Sequence, residues 1–125
     1  MGRPRRFDEA GAVEAAAAVF RRGGYAAASI DHLVEATGMH RGSLYNVFGS
    51  KHGLFLRVLD DAGAPDADPV ERLDVLMVAL LELAAVDPRV CDRVTGIISE
   101  NGVTAKQLGE RLLARAISHD EKESK

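Results

Sequence analysis

The chain has 125 residues, 46% of them apolar and 28% charged, with a net charge of −3 and one cysteine, Cys91. A chain of this length holds one modest core. A lone cysteine excludes an internal disulfide and leaves a cysteine metal site without partners, and the acidic balance argues against nonspecific coating of nucleic acid.

No apolar run approaches the roughly 18 residues of a membrane span. The start, Met1-Gly2-Arg3-Pro4-Arg5-Arg6, fits neither a signal peptide nor a myristoylation site, so the cytoplasm is the expected location. Periodicity is helical throughout and no strand is expected. The first helix is read from Asp8 to Arg22, with Ala12, Val13, Ala16, Val19 and Phe20 on one buried face. Gly23-Gly24 ends it. Ser29 caps a second helix that buries Ile30, Leu33 and Val34 and stops near Thr37-Gly38. Met39 fills the turn, and the third helix covers Arg41 to Val47, burying Leu44 and Phe48. Ser50 caps a fourth helix, striped by Leu54, Phe55, Val58 and Leu59 and ended by Gly63.

Residues 63–69 read as a linker and the one credible boundary. Asp68-Pro69-Val70-Glu71 starts a fifth helix, Val70 to about Val86, with only Glu71, Arg72, Asp74 and Glu82 polar. Those four span a little under half the circumference, leaving an apolar face wider than two small neighbours readily cover. Asp87-Pro88 starts a sixth helix, with Val90, Cys91, Val94, Ile97 and Ile98 on one face and Gly102 at its end. Thr104 with Gln107 caps a seventh, whose stripe is Ala105, Leu108, Leu112, Leu113 and Ala116. The charged segment 118–125 reads as a disordered tail.

The expected fold is therefore all-α with about seven helices. A three-helix helix-turn-helix domain (1–49) is followed by a linking helix (50–62), the linker (63–69) and a short helical domain (70–117). The halves differ in charge. Residues 1–52 carry seven Lys or Arg against five Asp or Glu, and the remainder nine against fourteen. All six aromatic residues precede residue 56. A basic front with an acidic rear fits a polarised binder of a polyanion.

The residues from Ser29 to Lys51 suit a DNA backbone and groove. A recognition helix reads base edges with residues near its N-terminus, which here are His40, Arg41, Gly42 and Ser43. Arg41 can bond a guanine edge in two places or clamp a phosphate. Gly42 is poor for a helix, which makes sense where the backbone must approach another surface closely. Tyr45, opposite Leu44, suits a phosphate, and Ser29 and Lys51 lie at helix starts that favour anions. Arg3, Arg5 and Arg6 precede the first helix as a basic arm for a groove. Taken singly, Ser29 and Ser50 are ordinary N-caps, and Tyr45 could be half-buried core. His40 and His52 lack a partner at metal spacing. No Ser-His-Asp set, carboxylate pair or phosphate-cradling glycine loop is found, so neither an enzyme nor a cofactor is expected. Cys91 reads as core.

Gly2-Arg3-Pro4-Arg5, Ala15 to Phe20, Gly24-Tyr25, Ser29, Gly38, Arg41-Gly42-Ser43-Leu44-Tyr45 and Phe48-Gly49-Ser50-Lys51-His52-Gly53-Leu54 together resemble the TetR/AcrR family of bacterial transcriptional regulators. The resemblance covers residues 2 to 60. It implies a dimer on a palindromic double-stranded operator, usually repressing neighbouring genes and nucleoid-associated when bound, with a helical ligand-binding domain behind the reader. Carried over by position, Ser29, Arg41, Gly42, Tyr45, Asn46 and Lys51 would be contacts, and Leu44 and Phe48 core. His40 stands where the family commonly has a small capping residue.

Family members normally continue for several more helices, so 70–117 is read as a truncated dimerisation or regulatory domain. It has no aromatics and little room for an enclosed effector pocket. A homodimer through 70–117 is expected to cover the wide apolar face. The expected function is a sequence-specific DNA-binding regulator, a repressor. The alternative is a shortened relative that pairs with a full-length regulator without binding an operator itself.

Overall fold

The computed structural model describes residues 8–123, with side chains through Ser118, and no strand occurs among them. Seven helices follow one another: α1 (Glu9–Gly23), α2 (Ile30–Thr37), α3 (Arg41–Phe48), α4 (Lys51–Ala62), α5 (Pro69–Glu82), α6 (Pro88–Asn101) and α7 (Ala105–Glu123). They form two compact units, and the division falls inside α4, after Val58.

In the first unit, α1 packs along α2, and α2 against α3. Ala12, Val13, Ala16, Ala17 and Phe20 of α1, Leu33 of α2, Leu44 of α3 and Leu54, Phe55 and Val58 of α4 are buried. The small alanines of α1 let backbones approach, and the aromatic rings fill what remains. Phe20, Tyr25 and Phe55 form a three-ring cluster. Phe20 stacks on Tyr25 at 5.8 Å, and Phe55 meets both edge-on at 5.1 and 5.3 Å. The turn between α2 and α3 is closed locally. Gly38 takes a left-handed conformation at φ 74°, the Thr37 hydroxyl donates to the Leu33 carbonyl at 2.7 Å, and the Met39 amide donates to that hydroxyl at 3.2 Å. Met39 is buried, as the turn requires.

In the second unit, α5 packs against α6 and α7. Both of its predicted start signals hold. Asp68 accepts from the Glu71 amide at 3.0 Å and Asp87 from the Arg89 amide at 3.0 Å, each followed by proline at the first helical position. Thr104 and Gln107 form a reciprocal capping box at 3.1 and 2.9 Å.

Three features depart from the sequence reading. First, α5 stops at Glu82 rather than near Val86. Asp87 precedes Pro88, which drives it into extended backbone, and the Val86 and Asp87 amides close back on the Leu83 carbonyl. Second, two of the four polar residues of α5 are buried. The Arg72 guanidinium donates to the carbonyls of Ala62 and Ala64 at 2.8 and 2.9 Å, ending α4. Asp74, 6% exposed, takes two bonds from Arg111 at 2.8 and 3.0 Å, with Arg115 at 3.5 Å. The hydrogen bonds that Arg111 donates to Asp74 hold its guanidinium above its ordinary pKa.

Third, α7 is turned relative to its expected stripe. Arg111, Arg115 and Leu108 are its less exposed positions, while Ala105, Leu112, Leu113, Ala116 and Ile117 are exposed, Leu113 at 63%. The bidentate pairing with Asp74 fixes which side faces α5. The helix also runs through Glu123, across most of the segment read as a disordered tail. Segment 118–123 contains neither Gly nor Pro, so nothing in it breaks a helix.

Candidate nucleic-acid interface

The short helix α3 is anchored by one residue. Leu44 is fully buried, and Phe48 is half-buried at the end of the helix. Around Leu44 the remaining positions open to solvent: Arg41, Gly42, Ser43, Tyr45, Asn46 and Val47 are all exposed. His40 occupies the N-cap position in extended backbone but makes no capping bond with its side chain, so its imidazole is not committed to the helix. Tyr45 is 41% exposed and lies one turn beyond Arg41.

Gly42 is the most telling of these. A methyl group built at its Cα meets nothing beyond its chain neighbours and its own helix backbone within 4 Å, as also at Gly23, Gly96 and Gly109, and its φ is not positive. Neither packing nor backbone geometry within the protein requires glycine there. Gly53 is the opposite case. A Cβ at that position would lie 2.0 Å from the Phe48 carbonyl oxygen, so the first turn of α4 can pass the end of α3 only with glycine. Ser50 completes that corner by accepting from the Gly53 amide at 2.9 Å.

The starts of α2, α3 and α4 are tied together by side chains. Ser29 caps α2 by accepting from the His32 amide at 3.0 Å. Two residues on, Asp31 sits in the first turn of α2, where a carboxylate complements the helix dipole, and pairs with Arg41 at the start of α3. Both partners are largely exposed, so the pair is weak and Arg41 is readily released. Lys51, at the start of α4, donates to the Ala28 carbonyl at 3.1 Å and the Tyr25 carbonyl at 3.0 Å, and its ammonium lies 4.3 Å from the centroid of the Tyr25 ring. Ala28 is the neighbour of Ser29. Ser29, Arg41 and Lys51 are thus linked through the beginning of α2.

Of the sequence-predicted residues, Ser29, His40, Arg41, Gly42, Ser43, Tyr45 and Asn46 fall on exposed positions of α3 or the start of α2. Lys51 is half-buried on the protein's own carbonyls. Arg3, Arg5 and Arg6 lie outside the described residues. Asp31 and Tyr25 carry no weight in the sequence reading of the site, yet they hold Arg41 and Lys51. The acid in the first turn of α2 is a visible signal for the former.

Two short helices about a left-handed glycine, the second exposing a polar face around a single buried leucine, define a helix-turn-helix unit. Residues 12–58 match the family model of bacterial regulatory proteins of the tetR family. It is 42% identical over 69 residues to the HTH-type transcriptional repressor BdcR of Escherichia coli (strain K12), covering 55% of this chain and 35% of that protein. It is also 48% identical over 59 residues to the HTH-type transcriptional repressor ComR of the same organism, covering 47% of this chain and 28% of that protein. The matched segment thus spans about a third of the length of these relatives. No solved structure gives a significant match.

Proposed function

We propose that this protein is a sequence-specific DNA-binding transcriptional regulator, a repressor, that acts as a dimer on a palindromic operator in the cytoplasm. The observation that carries the reading is the exposed face of α3, with a glycine in its first turn that the protein's own packing does not require. A backbone that must lie against a groove wall accounts for that glycine.

In this reading 1–49 is the reader and α3 enters the major groove. Arg41 bonds a guanine edge or a phosphate, and Ser43, Asn46 and His40 lie within reach of neighbouring bases. Tyr45 and the start of α2 at Ser29 meet the phosphate backbone. Arg3, Arg5 and Arg6 follow an adjacent groove. The two matched relatives, both transcriptional repressors by name, support the sign of the regulation. The dimer forms through 70–117, supported by the exposed Leu112, Leu113 and Ile117 of α7.

Selection of bound sequences from random duplexes with the purified protein tests the reading. The expected product is an inverted repeat bound with a steep dependence on salt. Failure to enrich any sequence, with flat salt dependence, would overturn it. Sedimentation at high protein concentration tests the dimer, which Leu113→Glu is expected to dissociate. A wild-type protein that stays monomeric removes that part.

A further inference from the structure

From these contacts we infer that Lys51 is a positioning residue: it clamps the α1–α2 loop, and through that loop sets the start of α2, rather than acting as a direct phosphate ligand. The inference rests on the DNA-binding reading for its consequence, but not for its geometry.

Tyr25 to Ala28 form a tight turn closed by the Ala28 amide on the Tyr25 carbonyl at 3.2 Å. The Lys51 ammonium bonds the carbonyls at both ends of that turn, at 3.0 and 3.1 Å. Its position over the Tyr25 ring, 4.3 Å from the centroid, adds a third attraction. The ring cannot swing away, because it is held between Phe20 and Phe55. An ammonium has three N–H donors, and two of them are spent inside the protein.

The turn leads directly into the cap. Ala28 is buried, and Ser29, next in sequence, takes the His32 amide. The carbonyls that Lys51 holds therefore fix the backbone immediately before the first turn of α2, the turn that also carries Asp31 and its partner Arg41. Lys51 sits in the first turn of α4, which Gly53 presses against the end of α3. One ammonium thus sets α2 relative to α3 and α4. A lysine swung out to a phosphate would leave two carbonyls without their cation and forfeit the ring contact.

The test follows the Lys51 ε-methylene protons by NMR in free protein and in complex with a selected duplex. Protons above an aromatic face resonate upfield, and they are expected to stay upfield on saturation with DNA. Replacing Lys51 by glutamine should accelerate amide exchange at Ala28, His32 and Leu33, the bonded amides of this turn and of the first turn of α2. It should weaken operator binding by about tenfold, the scale of a lost charged hydrogen bond, with the slope of log affinity against log salt unchanged. A lysine resonance that returns to its ordinary position on DNA, with a slope flatter by about one in K51Q, would make Lys51 a phosphate ligand and overturn the assignment. Unchanged amide exchange in K51Q would overturn it as well. If the wild-type protein binds no duplex, the DNA-binding reading fails by itself, and the exchange measurement on free protein still decides the role of Lys51.

Discussion

Replacing Gly42 by alanine should move stability and DNA affinity in opposite directions. The position is helical, the second residue of α3, and a methyl group there meets nothing beyond its chain neighbours and its own helix backbone within 4 Å. Alanine removes backbone freedom from the unfolded chain and satisfies the helix better, a gain of about 0.5 kcal/mol in a first turn, at the low end of the usual Gly-to-Ala range. For a unit of this size that raises the melting temperature by roughly 2–4 °C. On the duplex the same methyl occupies the space through which the backbone approaches the groove. Overpacking at a close contact costs at least about 1.4 kcal/mol, which is tenfold in affinity. Circular dichroism melts and fluorescence anisotropy with a selected operator read the two effects separately. A variant that melts higher and binds unchanged would refute the placement of the first turn of α3 against DNA. A variant that melts lower would refute the open space at Gly42 itself.

Gly53→Ala should behave in the contrary way. A Cβ 2.0 Å from the Phe48 carbonyl oxygen meets backbone that cannot yield, so the first unit should lose about 3 kcal/mol in denaturant titration. Asp31→Ala removes an exposed partner of Arg41 and should change stability by less than about 1 kcal/mol. It should raise affinity about threefold and steepen the salt dependence, since a carboxylate no longer competes with phosphates for the guanidinium. Weaker binding would instead mean that Asp31 aims Arg41 at a base. Asp74→Asn leaves Arg111 and Arg115 without the carboxylate they share. A loss of about 1–3 kcal/mol in chemical denaturation is expected, and an unchanged midpoint would show that α7 is held by other contacts.

The helices and their starts were legible because they depend on local chemistry. Ser29, Asp68, Asp87 and the Thr104–Gln107 box each satisfy amides within three residues, so sequence spacing contains the whole interaction. The exposed face of α3 was legible for a related reason: one leucine in eight residues leaves little choice about which side is buried. The rotation of α7 was not. An apolar stripe on a wheel predicts burial only if the facing helix offers apolar surface, and here a carboxylate on α5, 37 positions from Arg111 in sequence, captured that arginine and Arg115 instead. The internal commitment of Lys51 was hidden in the same way, since the spacing of Tyr25 and Lys51 carries no periodic signal.

The charged residues of the candidate interface divide by what they do in the free protein. Lys51 spends its charge on carbonyls and a ring, and half-burial makes that commitment strong, because low dielectric strengthens each contact. Arg41 spends its charge on a carboxylate in open solvent, where the pair is worth little and exchanges freely. A polyanion arriving at this surface therefore displaces Asp31 from Arg41 at small cost, whereas displacing Tyr25 and Ala28 from Lys51 means dismantling the turn that feeds α2. Cations of the same formal charge, each the first residue of its helix, are thus set apart by burial and by the partners that hold them. Under the proposed function the more exposed one would read the nucleic acid, and the half-buried one would hold the reading helices in register.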